Sequence, residues 1–168
     1  MSAQMNENMI GSISEASKLE IDKWIAKYPA DQKQSAVMAA LRIVQDANSG
    51  SLTTELMNEV AQYLDMLPIA VYEVATFYSM YEHKPIGKYK ISVCSNISCM
   101  LCGSNKVLEH LNGKLGIKPG ETSSDGKFTI KEVECLGACV GAPMMQIGHD
   151  YYEHLTPEKI DAIIDQLD

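Results

Sequence analysis

The chain has 168 residues with 14 Lys+Arg against 22 Asp+Glu, a net charge of −8, and is 46% hydrophobic and 21% charged. A chain of this length buries roughly 68–70% of its unfolded surface, which suffices for one domain or two small ones and excludes general disorder. The acidic balance argues against nucleic acid and anionic lipid as partners, since both are gripped by basic patches.

No apolar run approaches the roughly 18 residues that a membrane span needs. The first sixteen residues hold Glu7 and Glu15 and no Lys or Arg, so neither a secretory signal nor a transit peptide is expected. The expected compartment is therefore a reducing cytosol. There, five cysteines point to metal or redox chemistry rather than to a disulfide framework.

Residues 1–12 are polar and uncapped and read as a flexible tail. Residues 13–82 read as a helical bundle. Ile21, Trp24, Ile25 and Tyr28 mark the face of a first helix that opens at Ile13, Ser14 and Glu15 and stops at Pro29. A second helix is expected over about 32–48, with Val37, Met38, Leu41 and Val44 as its buried stripe and Gly50 as its C-terminal cap. A third starts near Thr53 or Thr54 and buries Leu56, Val60 and Leu64. A fourth follows Pro68 and carries Val71, Val74, Ala75, Tyr78 and Met80. These stripes are bundle core, and nothing in 1–82 carries chemistry.

The cluster His83-Lys84-Pro85-Ile86-Gly87 marks a boundary, and residues 83–168 read as a separate α/β domain. Tyr89, Ile91 and Val93 alternate with polar residues as a strand ending at Cys94. Val107, Leu108, Leu111 and Leu115 follow as a helix. Phe128, Ile130 and Val133 form a second strand that ends just before Cys135. Met144 to Ile147 and Tyr151-Tyr152 form a hairpin turned at Gly148-His149-Asp150. Thr156 and Pro157 start a last helix with Ile160, Ile163, Ile164 and Leu167 on its stripe. The order β-α-β-β-α predicts a mixed sheet flanked by helices. The acidity is even: 6 basic and 11 acidic residues in 1–85, 8 and 11 in 86–168, so neither half is an acidic tail.

All five cysteines lie in the second half, as Cys94-x4-Cys99-x2-Cys102 and Cys135-x3-Cys139, each group beginning where a strand ends. No charged side chain occurs from Cys94 to Asn105 or from Cys135 to Gly148. An oxidised 2Fe–2S cluster with four thiolates carries about −2, so nearby carboxylates would oppose its reduction, whereas glycine-rich loops offer backbone N–H groups to the sulfurs. Structural zinc, a thioredoxin-type dithiol at Cys99-Met-Leu-Cys102, and buried inert thiols are the rivals. A zinc-bound structural module remains the non-redox alternative. Cys94, Cys99, Cys102 and Cys135 mimic the plant-type ferredoxin spacing. A strand–cysteine–helix order favours instead Cys94, Cys99, Cys135 and Cys139, with Cys102 a packed thiol.

These stretches resemble the thioredoxin-like 2Fe–2S subunits of bacterial NADH:quinone oxidoreductase, respiratory complex I. The resemblance lies in 74–80 (VATFYSM), 93–99, 134–139 (ECLGAC), 142–147 (APMMQI), 151–153 (YYE) and 155–158 (LTPE), and spans about 15–167. It implies an α+β fold: an N-terminal helical bundle followed by a thioredoxin-like domain with a 2Fe–2S cluster on Cys94, Cys99, Cys135 and Cys139. Cys102 departs from the family pattern. The implied role is one-electron carriage, in which the cluster exchanges an electron with the FMN of an adjoining NADH-oxidising protein, with no catalytic site in this chain alone. The implied partners are that flavoprotein subunit and the large iron–sulfur subunit, with the helical half as the docking element on the flavoprotein. The implied location is the cytoplasmic face of the inner membrane, peripheral and without insertion. Small subunits of NAD-dependent formate dehydrogenases and NAD-linked hydrogenases share the same pattern.

Overall fold

The computed structural model describes residues 12–167, so the expected tail lies, apart from Ser12, outside the described residues. The chain divides into two compact units between Pro85 and Ile86.

The first unit is helical. α1 (Glu15–Ile25) starts where Ser14 accepts the Ser17 N–H at 3.1 Å. A 3-10 turn at Lys33–Ala36 leads into α2 (Val37–Ala47). α3 (Thr54–Tyr63) is capped by the Thr53 hydroxyl, and α4 (Pro68–Phe77) starts with proline at its first turn. Ile21, Leu41, Leu56, Val60, Leu64 and Val71 form the core, with Trp24 packed against it. The segment after α4 is tied back to α2: the Gln45 amide bonds Met80 O and Glu82 N, and the buried Tyr81 donates to Met38 O at 2.8 Å. Burial is the main cause that pushes the Tyr81 phenol up to about 12.

Four stripe assignments fail. Tyr28 is exposed because α1 ends at Ile25, three residues before it. Met38 is exposed because the buried face of α2 runs through Val37, Ala40, Leu41 and Val44, one step of about 100° away. Tyr78 and Met80 are exposed because α4 ends at Phe77 and Tyr78 is already extended, so helical spacing no longer applies to them.

The second unit is built on a four-stranded mixed sheet in the order β2-β1-β3-β4. β1 (Tyr89–Cys94) pairs in parallel with β2 (Phe128–Val133), from Tyr89↔Phe128 to Cys94↔Val133. Such a pair needs a long crossover, supplied by α5 (Ile97–Leu101) and α6 (Ser104–Leu115). On its other edge β1 pairs antiparallel with β3 (Met145–Ile147), which turns into β4 (Asp150–Tyr152). Asp150 is already paired with Ile147, so the hairpin turn is Gly148-His149 alone. α7 (Pro157–Asp165) is capped by Thr156. Ile91, Val93, Leu111, Ile130, Met145, Ile160 and Ile164 make this unit's core. The last four residues of β1 are all buried, so the central strand is covered on both faces and ends, rigidly held, at Cys94.

Candidate metal centre

Cys94 is the last residue of the central strand. Its N–H donates to Met144 O at 3.3 Å, and Ser95 N–H extends the ladder to Val133 O at 3.0 Å. The chain then turns into α5, where the Asn96 side chain accepts the Ile97 N–H at 2.8 Å. This single short helix buries Cys99 and leaves Ile97 and Leu101 exposed. Five residues are too few to show a period, so α5 was not legible in the sequence. Cys102 ends α5 and is exposed, not the packed thiol expected, because it caps α5 on the outer side of the loop instead of facing the sheet with Cys99. Gly103 follows at φ +97°, a left-handed turn into α6 that a side chain would strain.

The second loop leaves β2 at Val133. Cys135 and Cys139 are exposed, and the Gly137 N–H donates to Cys135 Sγ at 3.4 Å. Cys139–Gly141 forms a 3-10 turn that sequence patterning did not reveal. The buried thiols Cys94 and Cys99 sit together on Met144, with Leu136, Ala138 and Ala142 of the second loop packed against them. Cys94 Sγ donates to Glu134 O at 3.7 Å. Burial first, and then a hydrogen bond with Cys94, pushes the Cys99 thiol up to about 11, with Cys94 and Cys139 close enough to add to the effect.

Of the four cysteines expected as ligands, the structure thus places Cys94 and Cys99 in contact and Cys139 within electrostatic reach of Cys99. Cys135 lies on the same loop as Cys139, with its sulfur turned to the Gly137 amide. Among the described residues, no three His, Cys, Asp or Glu side chains converge tightly enough to enclose a metal ion as they stand. The donor chemistry fits an iron–sulfur group: thiols from two loops without charged side chains, an apolar floor, and a backbone amide already directed at a sulfur. The second loop is also held from outside. Tyr151 donates its hydroxyl to Leu136 O at 2.8 Å, His154 N–H bonds Gly141 O at 2.7 Å, and Leu155 N–H bonds Pro143 O at 3.0 Å. These contacts escape a sequence reading because they join residues some fifteen positions apart.

The model of the thioredoxin-like [2Fe-2S] ferredoxin family matches residues 21–168. The chain belongs to this family. Its cofactor is accordingly a [2Fe-2S] cluster. The chain is 49% identical over 143 residues to the E subunit of the NADH-quinone oxidoreductase of Rickettsia bellii, covering 85% of this chain and 86% of that protein. It is 47% identical over 148 residues to the second form of the same subunit in Rhizobium meliloti, covering 88% and 86%. A Dictyostelium discoideum protein, the mitochondrial NADH dehydrogenase [ubiquinone] flavoprotein 2, is 40% identical over 162 residues, 96% of this chain and 66% of its own. A chain of an NAD+-reducing [NiFe]-hydrogenase in the H2-reduced state shares the fold at TM-score 0.66 and 24% identity, covering 78% of this chain and 22% of that one.

Proposed function

We propose that this chain is the iron–sulfur electron carrier of an NADH–quinone oxidoreductase, with Cys94, Cys99, Cys135 and Cys139 as the cluster ligands and Cys102 as a bystander. The observation that carries the reading is the 49% identity to the Rickettsia bellii protein over most of both chains. The two charge-free cysteine loops support the ligand choice. Neither the formate dehydrogenase and hydrogenase assignments nor the zinc module is favoured by these relatives.

When bound, the cluster accepts and returns one electron at a time. The residues of this chain supply its setting. Cys94 and Cys99 come from a rigid strand end and the short helix α5, and Cys135 and Cys139 from a loop held by Tyr151, His154 and Leu155. Met144, Leu136, Ala138 and Ala142 keep water from the buried pair, and the Gly137 N–H offsets negative charge at Cys135. Val140, 97% exposed, and the exposed Ile97 and Leu101 belong to the two cysteine loops, as suits a site docked against another protein.

The proposed neighbours are an FMN-bearing, NADH-oxidising subunit and a large iron–sulfur subunit. No helix among the described residues is long and apolar enough to cross a membrane, so the proposed placement at the cytoplasmic face of the inner membrane comes through the complex. The helical unit is proposed to dock on the flavoprotein, and its exposed Leu67, Ile69 and Phe77 support this. Partner binding that survives removal of residues 1–82 would contradict that part.

The test is iron and acid-labile sulfide per chain on anaerobically purified protein, with EPR after dithionite reduction. About two of each, with an S = 1/2 signal kept in Cys102→Ser and lost in Cys139→Ser, is the expected result. Zinc, or a signal lost in Cys102→Ser and kept in Cys139→Ser, overturns the metal or the ligand assignment respectively.

A further inference from the structure

The Leu136–Gly137 peptide group is held at both ends. Its carbonyl accepts the Tyr151 hydroxyl at 2.8 Å, and its N–H donates to Cys135 Sγ at 3.4 Å. Tyr151 stands on β4, in register with Gln146 of β3, so the hydroxyl is presented from the sheet rather than from another loop. The peptide itself is poorly constrained by its own chain. Gly137 sits at φ +78° and, lacking a Cβ, accepts either sign of φ, so this plane rotates at little cost unless an outside group fixes it. Within the described residues the outside group is Tyr151.

We propose that Tyr151 is a positioning residue of the iron–sulfur site: by fixing the Leu136 carbonyl it keeps the Gly137 N–H on the Cys135 sulfur and thereby raises the site's affinity for an electron. The inference rests on the assignment of Cys135 as a ligand and goes one step beyond it. An N–H dipole pointed at a thiolate sulfur stabilises the more negative, reduced form more than the oxidised form. Without the hydroxyl the plane is free to turn and the dipole leaves the sulfur. Tyr151 is 49% exposed, so in its absence mobile water satisfies the carbonyl without anchoring it to the sheet, and the fold does not depend on the hydroxyl.

The test is an EPR-monitored redox titration of the cluster-loaded chain, comparing Tyr151→Phe and Tyr151→Leu with the parent. Tyr72→Phe, which removes a hydroxyl in the helical unit, serves as the control. The expected result is that both Tyr151 variants keep their iron and sulfide but lose electron affinity by about threefold to tenfold. For a one-electron couple tenfold is ~59 mV. Altered g-values should accompany the shift, with Tyr72→Phe unchanged. A Phe variant at the parental potential with a shifted Leu variant assigns the effect to ring packing and overturns the proposal. So do two unshifted variants. A parent chain that loads no iron–sulfur cluster, or Cys135→Ser that keeps the full signal, overturns the ligand assignment beneath it, an outcome separable from a loaded parent with indifferent Tyr151 variants.

Discussion

Gly141→Ala probes how closely the second cysteine loop is clamped. A Cβ placed at Gly141 falls 2.5 Å from Glu153 Cβ and also overlaps the Glu153 carboxyl group. Carbon atoms in favourable contact sit about 3.5–4.0 Å apart, so a displacement of roughly 1 Å is required. The carboxyl group can swing away, but Glu153 Cβ is fixed to its backbone. That backbone leads directly into His154 and Leu155, whose N–H groups bond Gly141 O at 2.7 Å and Pro143 O at 3.0 Å. Overpacking of this kind costs ~1–3 kcal/mol, and about 2 kcal/mol is expected here. The geometry also dictates a rescue pattern. Glu153→Ala leaves the offending Cβ and rescues nothing, whereas Glu153→Gly removes it and recovers ~1 kcal/mol or more as a coupling energy. The single tryptophan, Trp24, lies in the helical unit, so the assay is urea unfolding followed by the visible circular dichroism of the cluster. A Gly141→Ala variant within about 0.5 kcal/mol of the parent, or equal rescue by both Glu153 substitutions, would refute the reasoning.

In the helical unit, Leu41 is fully buried, and Leu41→Ala should destabilise that unit by ~2–5 kcal/mol, read from Trp24 fluorescence in urea. In the second unit, Asp161 accepts from His110 Nε2 at 2.9 Å and pairs with Lys114 at 3.2 Å. First the His110 bond and then Lys114 hold its carboxyl below the ordinary carboxylate range. A depressed carboxylate contributes stability above its unfolded pKa, near 4, and loses it as pH falls through the lower folded value. Urea midpoints of Asp161→Asn should therefore lie below the parent at neutral pH and converge with it on acidification below about pH 4, whereas parallel profiles would contradict the assignment.

The strands and long helices were legible because each carries its own periodicity. Tyr89, Ile91 and Val93 alternate, and the mixed sheet follows from the β-α-β-β-α order. Thr53 and Thr156 cap helices where local chemistry placed them. Tyr28, Met38, Tyr78 and Met80 were misplaced because a stripe written in letters does not show where a helix is rotated or where it stops. The cysteine loops were legible through their lack of charge, but their internal shape was not. α5 and the Cys139–Gly141 turn are each shorter than the window in which a helical period can be seen. Tyr151 and Glu153 read as ordinary strand-end residues because what distinguishes them is a partner on another loop.

The two cysteine loops are held by different physics, and this decides where variation should act. Cys94 and Cys99 are buried against Met144, and the backbone of Cys94 is continuous with the sheet ladder, so moving them means breaking the packing at the end of the sheet. Cys135 and Cys139 are exposed, and their loop has no ladder of its own. It is fastened by a side-chain hydroxyl at Leu136, a steric fit at Gly141, and two backbone bonds from His154 and Leu155. A single hydrogen bond contributes about 1 kcal/mol. Substitutions of the exposed side chains Tyr151 and His154 can therefore change the amide orientation at the sulfurs without unfolding the unit, while substitutions under Cys94 and Cys99 cannot. Tuning of electron affinity should accordingly concentrate at the exposed Tyr151 and His154, outside both cysteine loops, and stability effects should concentrate in the core beneath β1, which includes Leu155.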